Sequence, residues 1–188
     1  DTLMIATGKT MSWTGSLQTS GAVTLVLSNE TDTTSSQTVS LGGTGAHIIT
    51  LGSGTDTYSY TYSGTGTHGV QTIVATAGTN TITTKDAADI ITLGTGVDTV
   101  SSGAGNDTIS SATGNLVSTD TINAGAGTDT LSLTDASTVV DADFTNITNL
   151  ETIKQTTSAH AMTLTLGAAS MASGLVTVTD GTGVTTLV

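Results

Sequence analysis

Cysteine and proline are absent from this 188-residue chain, arginine is absent too, and aromatic side chains make up only 3% of it. Without cysteine there is no disulfide framework, no thiolate metal site and no cysteine nucleophile. The cations are Lys9, Lys85 and Lys154, set against fifteen acidic residues, so the formal charge is −12. A nucleic-acid binder is excluded on that balance, because neutralising phosphates needs a basic surface, and an anionic membrane is a poor partner for the same reason. No run of about 18 apolar residues exists to span a bilayer. With 36% hydrophobic residues the chain would make a thin core for a conventional globule. Asp1-Thr2-Leu3-Met4 carries no basic stretch followed by an apolar run, so no export leader is expected there, and the chain reads as processed or as a piece of a longer one.

What is present in quantity is glycine, at 23, together with threonine and serine. Such a composition without a period would make a flexible linker. A period exists, and it is nine. Gly52-x-Gly54-x-Asp56, Gly94-x-Gly96-x-Asp98, Gly103-x-Gly105-x-Asp107 and Gly125-x-Gly127-x-Asp129 share one pattern, with degenerate copies at Gly43-x-Gly45-x-His47 and Gly64-x-Gly66-x-His68. The sixth position of each unit reads His47, Asp56, His68, Asn80, Asp89, Asp98, Asp107, Asp120 and Asp129; five of the eight intervals are nine residues, two are twelve and one is thirteen. Two places further on, the residues are Ile49, Tyr58, Val70, Ile82, Ile91, Val100, Ile109, Ile122 and Leu131, all apolar, and the residue between is mostly threonine, as at Thr99 and Thr108. Apolar residues alternating with threonine between glycine turns predict short, half-buried strands.

A glycine-turned loop and a three-residue strand cannot bury an apolar side chain alone, so the units must stack. Two units per turn of a flattened parallel coil place residues eighteen apart over one another, at the roughly 4.8 Å spacing of paired strands. Asp89 should then lie beside Asp107 on one edge. Asp98 should lie beside Asp120 on the other, with the extra residues around Leu116 to Ser118 bulging outward. The fold expected is all-β, a parallel β-roll or β-helix solenoid, with a β-strand segment at 1–40, the roll at 41–132 and a solenoid or connector segment at 133–188. Stacked carboxylates repel unless a cation lies between them. Their oxygens and the turn carbonyls make an all-oxygen environment suited to Ca²⁺.

The nonapeptide resembles the repeat-in-toxin (RTX) repeat, G-G-x-G-x-D-x-U-x with U a large apolar residue, over residues 41 to 132; Ser102 to Ser110, S-G-A-G-N-D-T-I-S, is the nearest copy. The resemblance implies a β-roll, export by a type I secretion route and calcium-dependent folding outside the cell. By it the metal ligands are the side chains of Asp56, Asp89, Asp98, Asp107, Asp120 and Asp129, with turn backbone at Gly52, Gly54, Gly94, Gly96, Gly103, Gly105, Gly125 and Gly127. The chain departs from the pattern where Leu51, Leu93, Ser102 and Ala124 replace the first glycine, and where His47, His68 and Asn80 replace the aspartate. Calcium is therefore expected mainly at the Asp89 to Asp129 end.

The segment Phe144-Thr145-Asn146-Ile147-Thr148-Asn149-Leu150-Glu151-Thr152-Ile153 resembles the "LETI" connector of bacterial surface-layer (S-layer) proteins that carry these repeats. That resemblance implies a structural subunit of a secreted, calcium-dependent array or filament at the bacterial cell surface, a homo-oligomer or polymer with a cell-surface glycan as a possible partner. Two alternatives stay open: an RTX adhesin or ice- or glycan-binding module, using the threonines of turns such as Thr44, Thr65 and Thr95, and the non-catalytic secretion and folding tail of a secreted hydrolase. No enzyme is expected, since there is no G-x-S-x-G elbow and no histidine placed to serve a serine. His47, His68 and His160 read as structural rather than as a zinc site, and Tyr58, Tyr60 and Tyr62 as a strand surface covering a coil. The one helix candidate, Ala159 to Ala172, is interrupted by Thr163 to Gly167.

Overall fold

The computed structural model describes residues 2–4, 17–27, 36–61, 64, 68–112, 114–135, 138–156, 162–179 and 185–187. His160, Tyr62, Thr65, Gly66 and Lys9 lie outside them. The chain is a β-solenoid. A first sheet stacks nine strands, Thr2–Met4, Thr24–Val26, Ile48–Thr50, Thr72–Val74, Ile90–Thr92, Thr108–Ser111, Thr130–Leu133, Thr152–Gln155 and Thr177–Thr179. A second stacks seven, Leu17–Thr19, Ser36–Gly43, Thr55–Tyr60, Ala77–Thr83, Thr95–Ser101, Thr121–Asn123 and Ile147–Thr148. The chain alternates between these sheets, so every pairing is parallel and each rung is one coil above the last. Towards the C-terminal end a third sheet joins them, formed by Thr138–Val139, Met162–Leu164 and Thr185–Leu187.

The core is two columns facing each other. Leu25, Ile49, Ile73, Ile91, Ile109, Leu131 and Ile153 are register partners down the first sheet, and Val39, Tyr58, Ile82, Val100, Ile122 and Ile147 down the second. All are buried. Each contributes about 1.5–3 kcal/mol of apolar burial, and none of it is available to an isolated coil. The flanking threonines face outward, as the alternation requires.

The structure corrects the repeat alignment at one coil. Between Ile49 and Ile91 the buried residue is Ile73, and the residue two places before it is Gln71; Val70 is 39% exposed and His68 precedes the strand. The reason is local. Gln71-Thr72-Ile73 keeps the threonine that faces solvent beside the apolar residue that faces the core, whereas His68-Gly69-Val70 puts glycine there. The edge positions are thus 24 residues apart from His47 to Gln71 and 18 apart from Gln71 to Asp89. Val70→Asp is expected to leave the melting temperature nearly unchanged, whereas Ile73→Asp buries an unpaired charge and should abolish cooperative unfolding by circular dichroism.

A further expectation is corrected. Tyr58 and Tyr60 do not present a strand surface; both point into the core, where the Tyr58 hydroxyl donates to Gln71 Oε1 at 2.8 Å and the Tyr60 hydroxyl to the Gly43 carbonyl. Two short helices are described, a 3₁₀ turn at Asp141–Phe144 and an α-helix at Ala168–Ala172, the latter starting where the interruption at Thr163 to Gly167 ends. The Asp141 carboxylate accepts from the Ala169 and Ser170 amides and so caps the second. The four-residue insertion around Leu116 to Ser118 leaves the register intact, as expected, although Leu116 tucks back into the core.

Candidate metal centre

The first sheet carries a row of polar residues at its edge, one per coil, immediately before each strand. In order they are His47, Gln71, Asp89, Asp107, Asp129 and Glu151, successive members lying in register. The row is tied by its own backbone. The amide of Gln71 donates to Asp89 Oδ1 at 2.7 Å, Asp89 to Asp107 Oδ1 at 2.7 Å, Asp107 to Asp129 Oδ1 at 2.8 Å and Asp129 to Glu151 Oε2 at 2.8 Å. At the N-terminal end the Val23 amide donates to His47 Nδ1 at 3.2 Å.

The other oxygen of each aspartate tells a different story. Asp89 Oδ2, Asp107 Oδ2 and Asp129 Oδ2 are buried and have no hydrogen-bond partner, and the three side chains are at most 1% exposed. Burial pushes the carboxyls of Asp89 and Asp129 up to about 6, helped in both by the charge of Asp107, and in Asp129 also by that of Glu151. Asp107 is raised by burial in the same way. Three ionised, half-satisfied carboxylates stacked in a protein interior are costly unless a cation compensates them. The donor set is all oxygen, which fits a hard divalent ion. Among the described residues no three acidic or histidine side chains converge as a cluster that could hold a metal by themselves. An ion here would therefore be held by carboxylates from successive coils together with main-chain carbonyls.

The second sheet carries its own row, Gln37, Asp56, Asn80 and Asp98, each in register with the next, with Asp120 following Asp98. Asp56 accepts from the Gln37 amide at 3.0 Å and the Gly52 amide at 2.9 Å. Asp98 accepts from Asn80 Nδ2 at 2.8 Å and the Gly94 amide at 3.2 Å. Asp120 accepts from the Asp98 and Val117 amides, both at 2.9 Å. Burial raises Asp98 and Asp120 above the usual carboxylate range.

The glycine turns make the stacking possible. A Cβ on Gly125 would lie 1.8 Å from the Gly103 carbonyl oxygen, one on Gly127 1.7 Å from that of Gly105, and one on Gly96 1.9 Å from that of Gly78. Gly78 in turn approaches the Gly54 carbonyl. The turns of successive coils are thus in backbone contact, with Ala104 bridged to Ala126.

Glu151 was not among the sequence-derived ligands. Its signal was visible, since Glu151-Thr152-Ile153 repeats Asp107-Thr108-Ile109 with a longer acid, 22 residues after Asp129. Gln71 is likewise a member of the row in place of His68. Near these, His47 is fully buried, and burial holds its imidazole below the ordinary histidine range; Tyr60 lies between it and His68, with ring centroids at 6.1 and 5.7 Å. His68 Nδ1 is 3.3 Å from Asp86 Oδ2.

A family model of the RTX calcium-binding nonapeptide repeat (4 copies) matches residues 65–100, 74–109 and 118–134. The repeat of this family binds calcium, and it is typical of secreted proteins. Asp89, Asp98, Asp107, Asp120 and Asp129 fall within the matched residues, whereas Asp56 and Glu151 lie outside them. No curated protein and no solved structure matches the chain. No helix among the described residues is long and apolar enough to cross a membrane.

Proposed function

We propose that this chain is a non-catalytic structural subunit of an extracellular calcium-dependent assembly, a surface layer or filament, that folds and associates after secretion. The observation that carries the reading is the row of buried carboxylate oxygens left unpaired at Asp89, Asp107 and Asp129. Where free Ca²⁺ is low, the charge of −12 and the cost of burying these acids favour the extended chain, the form suited to export. A bound calcium ion supplies the positive charge that the row lacks. Because extracellular modules of this kind bind at about 10⁻⁴ to 10⁻³ M, neighbouring coils must order together.

Association is supported by the ends of the stack. Among the described residues, Thr177–Thr179 and Ile147–Thr148 each have a strand partner on one side only. Such edges join other strands unless they are covered, and a second copy of the same solenoid continues the same pairing. The "LETI" segment supports the surface-layer form of the reading through its resemblance alone.

A second reading, an adhesin face for ice or glycan, draws on one specific observation. Thr38, Thr57, Thr81, Thr99 and Thr121 stand in one continuous rank on the second sheet, in register despite the uneven coil lengths.

Far-ultraviolet circular dichroism and light scattering during a Ca²⁺ titration of chelator-treated protein test the two readings. Strand signal and large particles rising together at roughly millimolar Ca²⁺ are expected. Strand signal without particles would favour the monomeric adhesin, and full strand content in chelator would remove the folding switch.

A further inference from the structure

The two edges of the solenoid carry the same residue type in different states. On the first edge Asp89, Asp107 and Asp129 each use one oxygen on a neighbouring coil's amide and leave the other buried and unpaired. On the second edge Asp56, Asp98 and Asp120 each have both oxygens engaged by N–H donors. In each of these three, one donor comes from the aspartate's own turn: the amides of Gly52, Gly94 and Val117 lie three or four residues before the acid. The other donor comes from the preceding coil. A carboxylate with two N–H donors is already neutralised in the sense that matters for burial.

The strand boundaries account for Asp56 and Asp98, though not for Asp120, whose strand Thr121–Asn123 begins one residue after it. Thr55–Tyr60 and Thr95–Ser101 run through Asp56 and Asp98, so the backbone ahead of those acids is drawn into the parallel ladder, with Thr95, Gly96 and Val97 paired to Ala77, Gly78 and Thr79. On the first edge the strands begin one residue after the acid, at Ile90, Thr108, Thr130 and Thr152. There the Lys85 amide and Thr84 hydroxyl bear on Asp89, and the Ser102 hydroxyl on Asp107, favouring the charged acids against burial without completing a hydrogen bond to Oδ2. One edge has staples; the other has vacant acceptor positions.

From this we infer that calcium occupies only the first edge of the solenoid, in the gaps between Asp89, Asp107 and Asp129 with Glu151 closing the row, and that Asp56, Asp98 and Asp120 are turn staples rather than ligands. The inference rests on the calcium reading of the repeat, and it divides the six repeat aspartates into two chemical classes. Glu151 extends the row past the matched repeats: its Oε2 takes the amide of Asp129 as an aspartate would, and its charge faces Asp129.

The test is a count of bound ions. Chelator-treated protein is dialysed to equilibrium against CaCl₂, and calcium per folded chain is measured by atomic emission for the natural sequence, for D89N/D107N/D129N and for D56N/D98N/D120N. The first triple variant should lose at least two ions per chain. The second should keep the natural count, while its melting temperature falls because an asparagine NH₂ now faces an amide N–H. Where a triple variant does not fold, D107N against D98N carries the same contrast at one rung each. A folded second-edge variant that loses as many ions as the first-edge variant overturns the one-edge assignment while leaving the calcium reading intact. A natural chain that folds and binds no calcium overturns both.

Discussion

At pH 7.5 the protein is expected to lose its strand signal in chelator and to regain it in 10 mM CaCl₂, and lowering the pH in chelator is expected to restore part of it. The first half follows from linkage. A site with a dissociation constant of about 1 mM in ten-fold excess ligand adds about 1.4 kcal/mol, and two or three such sites add about 3–4 kcal/mol, a large share of what holds a domain folded. The second half follows from the sign of the acid shifts. Asp89 and Asp129 titrate near 6 in the folded state, above the usual value near 4, because burial disfavours their charge. A raised carboxylate binds its proton more tightly folded than unfolded. Without metal, its contribution is therefore full below about pH 4 and is lost as the pH rises through 6. Differential scanning calorimetry in chelator should find the protein more stable at pH 4.5 than at pH 7.5, the reverse of a protein held by ion-paired aspartates. In calcium the dependence should invert between pH 5 and 7, because protons then compete with the ion for the same oxygens. A chelated protein whose stability rises with pH across that window would mean that Asp89 and Asp129 are not buried and unpaired as described.

That pair of acids could be found in the sequence; their state could not. The period of nine, the aspartate column and the apolar residue two places on are enough to stack Asp89 beside Asp107 and Asp98 beside Asp120, because a coil this small has only one way to hide its isoleucines. The same logic failed where the spacing was uneven. At His68 two glycines suggested the register, but burial of Ile73 beside Ile49 and Ile91 decided it, and a hydrophobic side chain outweighs a turn glycine that can be accommodated in a loop. Glu151 was passed over because its segment resembled a connector, although the coil it begins buries Ile153 against Leu131 like any other. The difference between the edges was not legible at all. Gly94-x-Gly96-x-Asp98 and Gly103-x-Gly105-x-Asp107 have the same pattern, yet the Gly94 amide reaches its aspartate, whereas Asp107 keeps one oxygen unpaired. What separates them is the path of the turn against the neighbouring coil, which the nonapeptide itself does not set.

Substitution in the glycine turns has a large expected effect, and comparing two of them isolates its cause. Gly125 and Gly114 both have positive φ, 99° and 76°, so replacing either by alanine forces a side chain into the left-handed region at a cost of about 1 kcal/mol. Gly114 sits in open space, with nothing within 4 Å of the added Cβ. At Gly125 the Cβ would stand 1.8 Å from the Gly103 carbonyl oxygen, which belongs to the backbone of the adjacent coil and is fixed there by the Ala126 amide at 2.8 Å. Relief therefore requires the two turns to separate, and separation breaks the bond from the Asp107 amide to Asp129 Oδ1 as well as the Ala104 to Ala126 bridge. Gly114→Ala should lower the melting temperature by only a few degrees, about 2–4 °C per kcal/mol in a chain of this size. Gly125→Ala should lower it by more than roughly 10 °C, and should also weaken calcium binding, since the carboxylates on either side of the gap no longer hold their spacing. Equal losses from the two substitutions would mean that backbone conformation alone limits these turns, and that the close stacking of Gly103 on Gly125 contributes nothing to the ion row.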